Sequence, residues 1–339
     1  MSKNYKEIIT DNINTYGGQA GYAYHYTDVT NAVNILATGY LYSRQKCNEK
    51  NLMQNDNASS SVIGNTSTAT KDDVRFYFRP LTPTQYYNEG YKHPQIRFSS
   101  DINANVPVPI FFLFDLQKML ENIPELRFTP MGRAGYSNME LLNGIESFSN
   151  LPFDKIYSTG FYDKDIEGDL KVYRHAELAV SKKFEVLPYI KHIVCRNEIE
   201  YFTLINLLRD SNKELFRKYQ AYILNGERVV LPLFERNGLF VTDIRLNFNA
   251  GDLVVYFANY PDKMNYDRKF QNFQLQQIVV NTEVSGIIEN KPFTCCFKNE
   301  IDYIQPQKIK IDIPNMCKID FTGIKIYFDK CLMAYKKFS

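Results

Sequence analysis

Glu177 lies in the stretch YRHAELAV at 173–180, two residues after His175 and four after Tyr173. Successive side chains of a strand point to opposite faces. That spacing places Tyr173, His175 and Glu177 on one side and Ala176, Leu178 and Val180 on the other. A carboxylate flanked by an imidazole and a phenol is either an arranged site for proton transfer or an ordinary solvated strand edge. Two more polar groupings share this period. His25 and Thr27 fall on one face of YAYHYT at 22–27, and Arg75, Tyr77 and Arg79 lie opposite Val74, Phe76 and Phe78. Each also has a plain reading: His25 as a satisfied core histidine, Thr27 as the start of a turn, Tyr77 as a buried ring with its hydroxyl bonded, Glu177 as a solvated strand residue.

Several elements must position these groups. After the strand at 22–27, Asp28 and Asn31 offer caps for a helix running through AVNILAT to a stop at Gly39. Ala32, Val33, Ile35 and Leu36 give it one apolar stripe. The strand at 74–79 is closed by Pro80 and Pro83. VPVPIFFLF at 106–114 reads as a buried strand, followed by a helix near 115–122. Helical periodicity fills 198–208 and 212–223. The polar stretch 54–70, QNDNASSSVIGNTSTAT, reads as a long loop, and such loops often act as lids. Beyond Gly226, RVVLPLF, GLFVTDIRLNF, DLVVYFA, FQLQQIVV, KIKIDI and GIKIYF are six β-like runs at short spacing. The expected class is α+β, with a first domain at 1–225 and a smaller β-rich domain at 226–339.

Composition narrows the function classes. The 339 residues exceed the roughly 250–300 at which one core stops growing, which favours two domains. A net charge of +2 excludes a protein that grips duplex nucleic acid through many phosphates, since each neutralised phosphate takes a Lys or Arg. The six cysteines show no C-x-x-C spacing and the four histidines are scattered, so no metal is expected. Phosphate-loop, dinucleotide-fold and nucleophile-elbow motifs are missing. The start MSKNYKEIITDN carries no signal peptide, and no apolar run approaches the about 20 residues of a membrane span. A cytoplasmic protein without a membrane partner is expected.

In this order the motifs resemble the DarT family of DNA ADP-ribosyltransferases, toxins that move ADP-ribose from NAD onto a nucleobase. The resemblance is carried by Tyr24-His25-Tyr26-Thr27, by Gly39 in NILATGYL, by Phe76-Tyr77-Phe78-Arg79-Pro80-Leu81-Thr82-Pro83 with Tyr86, and by Glu177 in His175-Ala176-Glu177-Leu178. It implies a mixed ADP-ribosyltransferase fold with NAD as co-substrate. It further implies that His25 and Thr27 hold the nicotinamide side and that Tyr77 stacks or bonds nearby. Glu177 would orient the ribose and take a proton from a base nitrogen. The family's catalytic loop arginine has one counterpart between Gly39 and Val74, so the resemblance implies Arg44 as a catalytic residue beside Glu177, with Arg75 and Arg79 as rivals; Arg75 joins the NAD-binding set. Leu81 stands where the family often has arginine, and Arg133 stands near the position of a family histidine.

The expected activity is transfer of ADP-ribose to a base in single-stranded DNA with release of nicotinamide, by the toxin of a toxin–antitoxin or anti-phage module. A cognate antitoxin protein would be its partner. A duplex hides base nitrogens in pairing, so an unpaired or flipped base is required. Transfer to RNA is one alternative, because no residue pattern discriminates the 2′-hydroxyl. A non-catalytic NAD-fold module that senses a partner is another. The terminal run with Lys325, Tyr327, Lys330, Tyr335, Lys336 and Lys337 reads as a single-strand-binding surface or as an edge strand kept soluble by lysines.

Overall fold

The computed structural model of the chain describes residues 3–53, 68–97, 105–133, 139–160, 163, 165, 169–236, 238–259 and 277–338. Residues 54–67 of the loop read as a lid lie outside them.

A seven-stranded sheet forms the first half. Its strands are β1 (Tyr22–Asp28), β3 (Asp73–Tyr77), β4 (Pro109–Asp115), β5 (Arg127–Thr129), β6 (Glu177–Ser181), β8 (Ile190–Cys195) and β9 (Ile223–Asn225), in the order β5-β6-β3-β1-β4-β8-β9. Neighbours run antiparallel except β8 with β9. β4 is buried on both faces, which accounts for its unbroken apolar run. Ile110, Phe112 and Phe114 join the main core under the helices Val29–Thr38, Leu116–Asn122 and Glu198–Ser211. Phe111 and Leu113 join a second cluster with Tyr24, Val194 and Leu233. The short pair β2 (Tyr40–Tyr42) and β7 (Lys183–Glu185) stands beside this sheet.

β1 and β3 share one register pair, Tyr24 opposite Tyr77. Past it the strands diverge, and the His25 ring takes the place of a backbone rung: its Nδ1 lies 3.2 Å from the Arg75 carbonyl oxygen. Asp28 ends β1 and anchors the next helix. Its Oδ1 accepts from the Thr30 backbone N–H at 3.0 Å, capping the helix Val29–Thr38, and its Oδ2 accepts from Val108 N–H at 3.2 Å. That helix ends at Gly39, whose φ of 76° is the left-handed turn a glycine adopts without strain.

Two expectations are corrected. Residues 173–175 do not extend a strand. Asp169 caps a helical turn, Leu170–Tyr173, by accepting from Lys171 N–H at 3.2 Å, and β6 starts at Glu177. Tyr173 and His175 therefore do not share a strand face with Glu177. RVVLPLF is not a strand either. It crosses the second face of the sheet as an extended strap that seats Leu233 and Phe234 against Tyr24 and Phe111.

The other C-terminal runs contribute β10 (Leu239–Asn247), β11 (Asp252–Asn259), β12 (Ile278–Ile288), β14 (Ile309–Asp312) and β15 (Asp320–Phe328), with residues 273–276 of FQLQQIVV lying outside the described residues. β10, β11 and β14 form one sheet in the order β10-β11-β14, and β13 (Lys291–Ile301) and β16 (Cys331–Lys337) complete the other, β13-β12-β15-β16. β16 lies along the helix Glu198–Ser211: Tyr335 N–H donates to Thr203 Oγ1 at 2.9 Å, and Asn206 Nδ2 donates to Tyr335 O at 3.0 Å. Lys325 pairs with Glu283, and Lys337 and the Tyr335 hydroxyl both bond Asp210, so these three side chains have partners within the fold.

Candidate active site

The fork between β1 and β3 opens into a cleft of about 270 Å³. His25, Tyr26 and Thr27 line it from β1, and Asp73, Val74, Arg75 and Tyr77 from β3. Tyr40 and Tyr42 of β2, and Arg44 just beyond, close another side. Arg44 is the first residue of the helix Arg44–Glu49, which Ser43 caps by accepting from Lys46 N–H at 3.2 Å. A fourth wall, Thr82, Thr84, Gln85 and Asn88, comes from the helix Pro83–Asn88 and its cap.

Glu177 does not line this cleft but adjoins it through two residues that do: it is bonded to Arg75 and stands opposite Tyr77 in the β3–β6 register, 1% exposed. Its Oε1 accepts from Arg75 Nη2 at 2.8 Å and from the Arg133 backbone N–H at 2.9 Å. Oε2 accepts from Arg75 Nε at 2.5 Å and from Arg133 Nε at 3.4 Å. Four donors occupy the four lone-pair positions of the carboxylate. Burial works against the charged form, but the Arg75 charge and hydrogen bond, joined by those of Arg133, overcome it and hold the Glu177 carboxyl below its ordinary range.

Arg133 is anchored in turn by Asp73, whose Oδ2 accepts from Arg133 Nη1 at 2.7 Å while Oδ1 accepts from Arg127 Nη2 at 2.8 Å. Asp73 escapes a reading that starts at Val74, although it continues the 73, 75, 77 alternation, which is the signal that could have found it. Arg79 does not reach the cleft. It is buried, with its guanidinium on the carbonyl oxygens of Pro80, Ile156 and Ser158, so it is no rival for the loop arginine's place.

His25 is held neutral. Burial lowers its pKa to about 4, and since a carbonyl only accepts, the proton is on Nδ1 and Nε2 keeps an acceptor lone pair. Burial raises the Tyr77 pKa, keeping it a phenol. Tyr26 Oη is buried without a hydrogen-bond partner among the described residues. The cleft thus offers two guanidinium groups and four tyrosine rings. This set suits a diphosphate flanked by ring systems, which is what NAD presents. Among the described residues no group of three or more His, Cys, Asp or Glu is placed to hold a metal, and no helix is long and apolar enough to cross a membrane.

Comparison with known proteins decides the family. The family model described as "ssDNA thymidine ADP-ribosyltransferase, DarT" matches residues 24–222, more than half of the chain. The chain belongs to the DarT family. It is accordingly an NAD-dependent single-stranded-DNA ADP-ribosyltransferase. Solved structures of Thermus sp. 2.9 DarT are similar to it. The complex with ADP-ribosylated ssDNA is 17% identical with a TM-score of 0.46, over 57% of this chain and 90% of that one. The complex with NAD+ is 16% identical with a TM-score of 0.41, over 56% and 89%. The complex with carba-NAD+ is 18% identical with a TM-score of 0.44, over 57% and 91%. No curated protein matches the chain. The DarT match ends at 222, and the β-rich region after it is additional.

Proposed function

We propose that this enzyme transfers ADP-ribose from NAD to a thymidine base of single-stranded DNA, with Glu177 as its acid–base carboxylate. The supporting observation is the position of Glu177 adjoining a cleft that gathers His25, Thr27, Tyr77, Arg75 and Arg44. NAD supplies the activated ribose and nicotinamide as leaving group. Arg44 and Arg75 face the diphosphate charge, and Tyr77 packs against the ring at the nicotinamide end. His25, neutral at physiological pH, presents Nε2 as an acceptor beside the Thr27 hydroxyl.

A base N–H is a weak nucleophile until its proton leaves, and the Glu177 carboxylate is the group to take it. All four of its lone-pair positions are engaged, so one bond must be released first. The 3.4 Å contact from Arg133 Nε is the longest and is the one that yields. Arg75 keeps the carboxylate charged until then.

Glu177→Gln removes the base while keeping the volume. Transfer to a thymidine oligonucleotide should fall by roughly 100-fold or more, with NAD affinity little changed. Full transfer by a folded Glu177→Gln protein would sink the assignment. Labelled NAD offered to DNA and RNA oligonucleotides of all four bases distinguishes thymidine transfer from the RNA alternative. We place the enzyme in the cytoplasm as the toxin of a toxin–antitoxin or anti-phage module, restrained by an antitoxin protein, with residues 1–225 as catalytic unit and 226–339 as accessory unit. Expression without a partner should then arrest growth, and Glu177→Gln should relieve the arrest.

A further inference from the structure

The strap after residue 226 lies outside the DarT match, yet it is joined to the cleft wall by a buried carboxylate. Glu89 comes directly after the helix Pro83–Asn88 and is 0% exposed. Its Oε2 accepts from Gln85 Nε2 at 2.7 Å and from the Glu235 backbone N–H at 2.9 Å. Its Oε1 accepts from the Arg236 backbone N–H at 2.7 Å and lies 3.8 Å from Arg196 Nη1. Gln85, which lines the cleft, also donates to the Leu233 carbonyl at 2.7 Å and accepts from Leu81 N–H at 2.9 Å. One carboxylate and one amide thus fix the strap to the wall that carries Thr82, Thr84 and Asn88.

A second, apolar connection reaches the same cleft. Leu233 is 1% exposed in the cluster with Tyr24, Phe111, Leu113 and Val194. Tyr26 and Tyr77, whose rings line the cleft, pack against that cluster. The strap thereby backs two cleft tyrosines by packing and the Pro83–Asn88 wall by hydrogen bonds.

We propose that Glu89 is a positioning residue for the NAD cleft and that residues 231–236 are its buttress, so that this stretch of the C-terminal region is a working part of the catalytic site. Glu89 does not touch the reacting atoms. It acts through Gln85 and through the strap's backbone. A buried carboxylate holding three N–H groups is costly to disturb, and the disturbance passes to whatever those groups hold in place. The proposal rests on the NAD-dependent reading of the cleft.

The test compares full-length wild type, Glu89→Gln and Leu233→Ala. Glu89→Gln sets an amide N–H against backbone N–H groups that need an acceptor, and Leu233→Ala loosens the strap without touching the cleft. Each folded variant should show KM and Kd for NAD raised roughly five- to twenty-fold, with kcat within about two-fold of wild type. NAD binding is measured by calorimetric titration, independently of turnover, and folding by thermal melt. Unchanged KM and Kd in folded variants, with only the melting temperature lowered, would show a merely structural residue and overturn the proposal. If Glu89→Gln does not fold, Leu233→Ala decides by the same criterion. A wild type that binds NAD but labels no oligonucleotide would instead contradict the transfer reading, and the affinity comparison would still stand.

Discussion

Glu177, at 1% exposure, keeps its charge only through partners brought from far along the chain: Arg75 lies 102 residues away and Arg133 lies 44 away. The sequence names this glutamate through its motif. It cannot show the burial, because each donor comes from another strand or loop, and 173–180 alone looks like a half-solvated edge. Arg75→Lys tests the electrostatic part. A lysine presents a point charge where the guanidinium makes two parallel bonds, so the Glu177 pKa should rise toward that of an ordinary carboxylate. The acid limb of the kcat/KM profile should move to higher pH, and activity should fall by about ten- to a hundred-fold, equivalent to one charge-assisted bond. His25 and His175 give a second pH signature. Burial lowers both to about 4 from 6.5, so between those values the unfolded chain binds protons that the folded chain refuses. Stability contributed by the neutral rings is full above pH 6.5 and is lost as pH falls toward 4. Denaturant midpoints measured from about pH 7 to 4 should decline, and His175→Gln should flatten the slope.

At the scale of elements, the helix Val29–Thr38 is legible to within a residue because both of its ends are chemical: Asp28 caps one and Gly39 turns the other. β4 is legible from its apolar run. β13 and β16 escape the sequence because KPFTCCFKNEI begins with Lys and Pro and half its side chains face solvent, while CLMAYKK owes its strand to pairing with β15. The strap 229–234 has strand-like composition without a ladder, since apolar residues seated on a sheet face carry the same letters as residues within one. Gly238 marks where the strap turns into β10. Its φ is 74°, and an added Cβ would lie 2.9 Å from the Tyr91 carbonyl oxygen and 3.0 Å from that of Glu89. Gly238→Ala should therefore destabilise the protein by about 1–3 kcal/mol, read as a lowered denaturant midpoint.

Across the whole molecule, one apolar cluster runs from Ile8 to Ala334 through both halves of the chain. Length favours two units, and net charge carries no sign of how they would meet. Neither quantity could report that β16 covers the helix Glu198–Ser211, because a surface closed at Thr203 by Tyr335, 132 positions later, leaves no local trace. Ending the chain at 225 would strip that helix of β16 and the second sheet face of Leu233. Such a fragment should go to the insoluble fraction or bind a hydrophobic dye, whereas the full chain stays clear.

The single Tyr24–Tyr77 rung between β1 and β3 has a mechanical consequence. Beyond it a continuous sheet would be zipped shut, but here the zip stops and leaves the gap that opens into the cleft. A nucleotide that bridged the two strands would supply the missing teeth, making binding and sheet closure one event. Amide hydrogen exchange should slow together, when NAD is added, at those N–H groups of 25–28 and 73–76 that face the gap, while the N–H groups already bonded to β4 and β6 stay as they were.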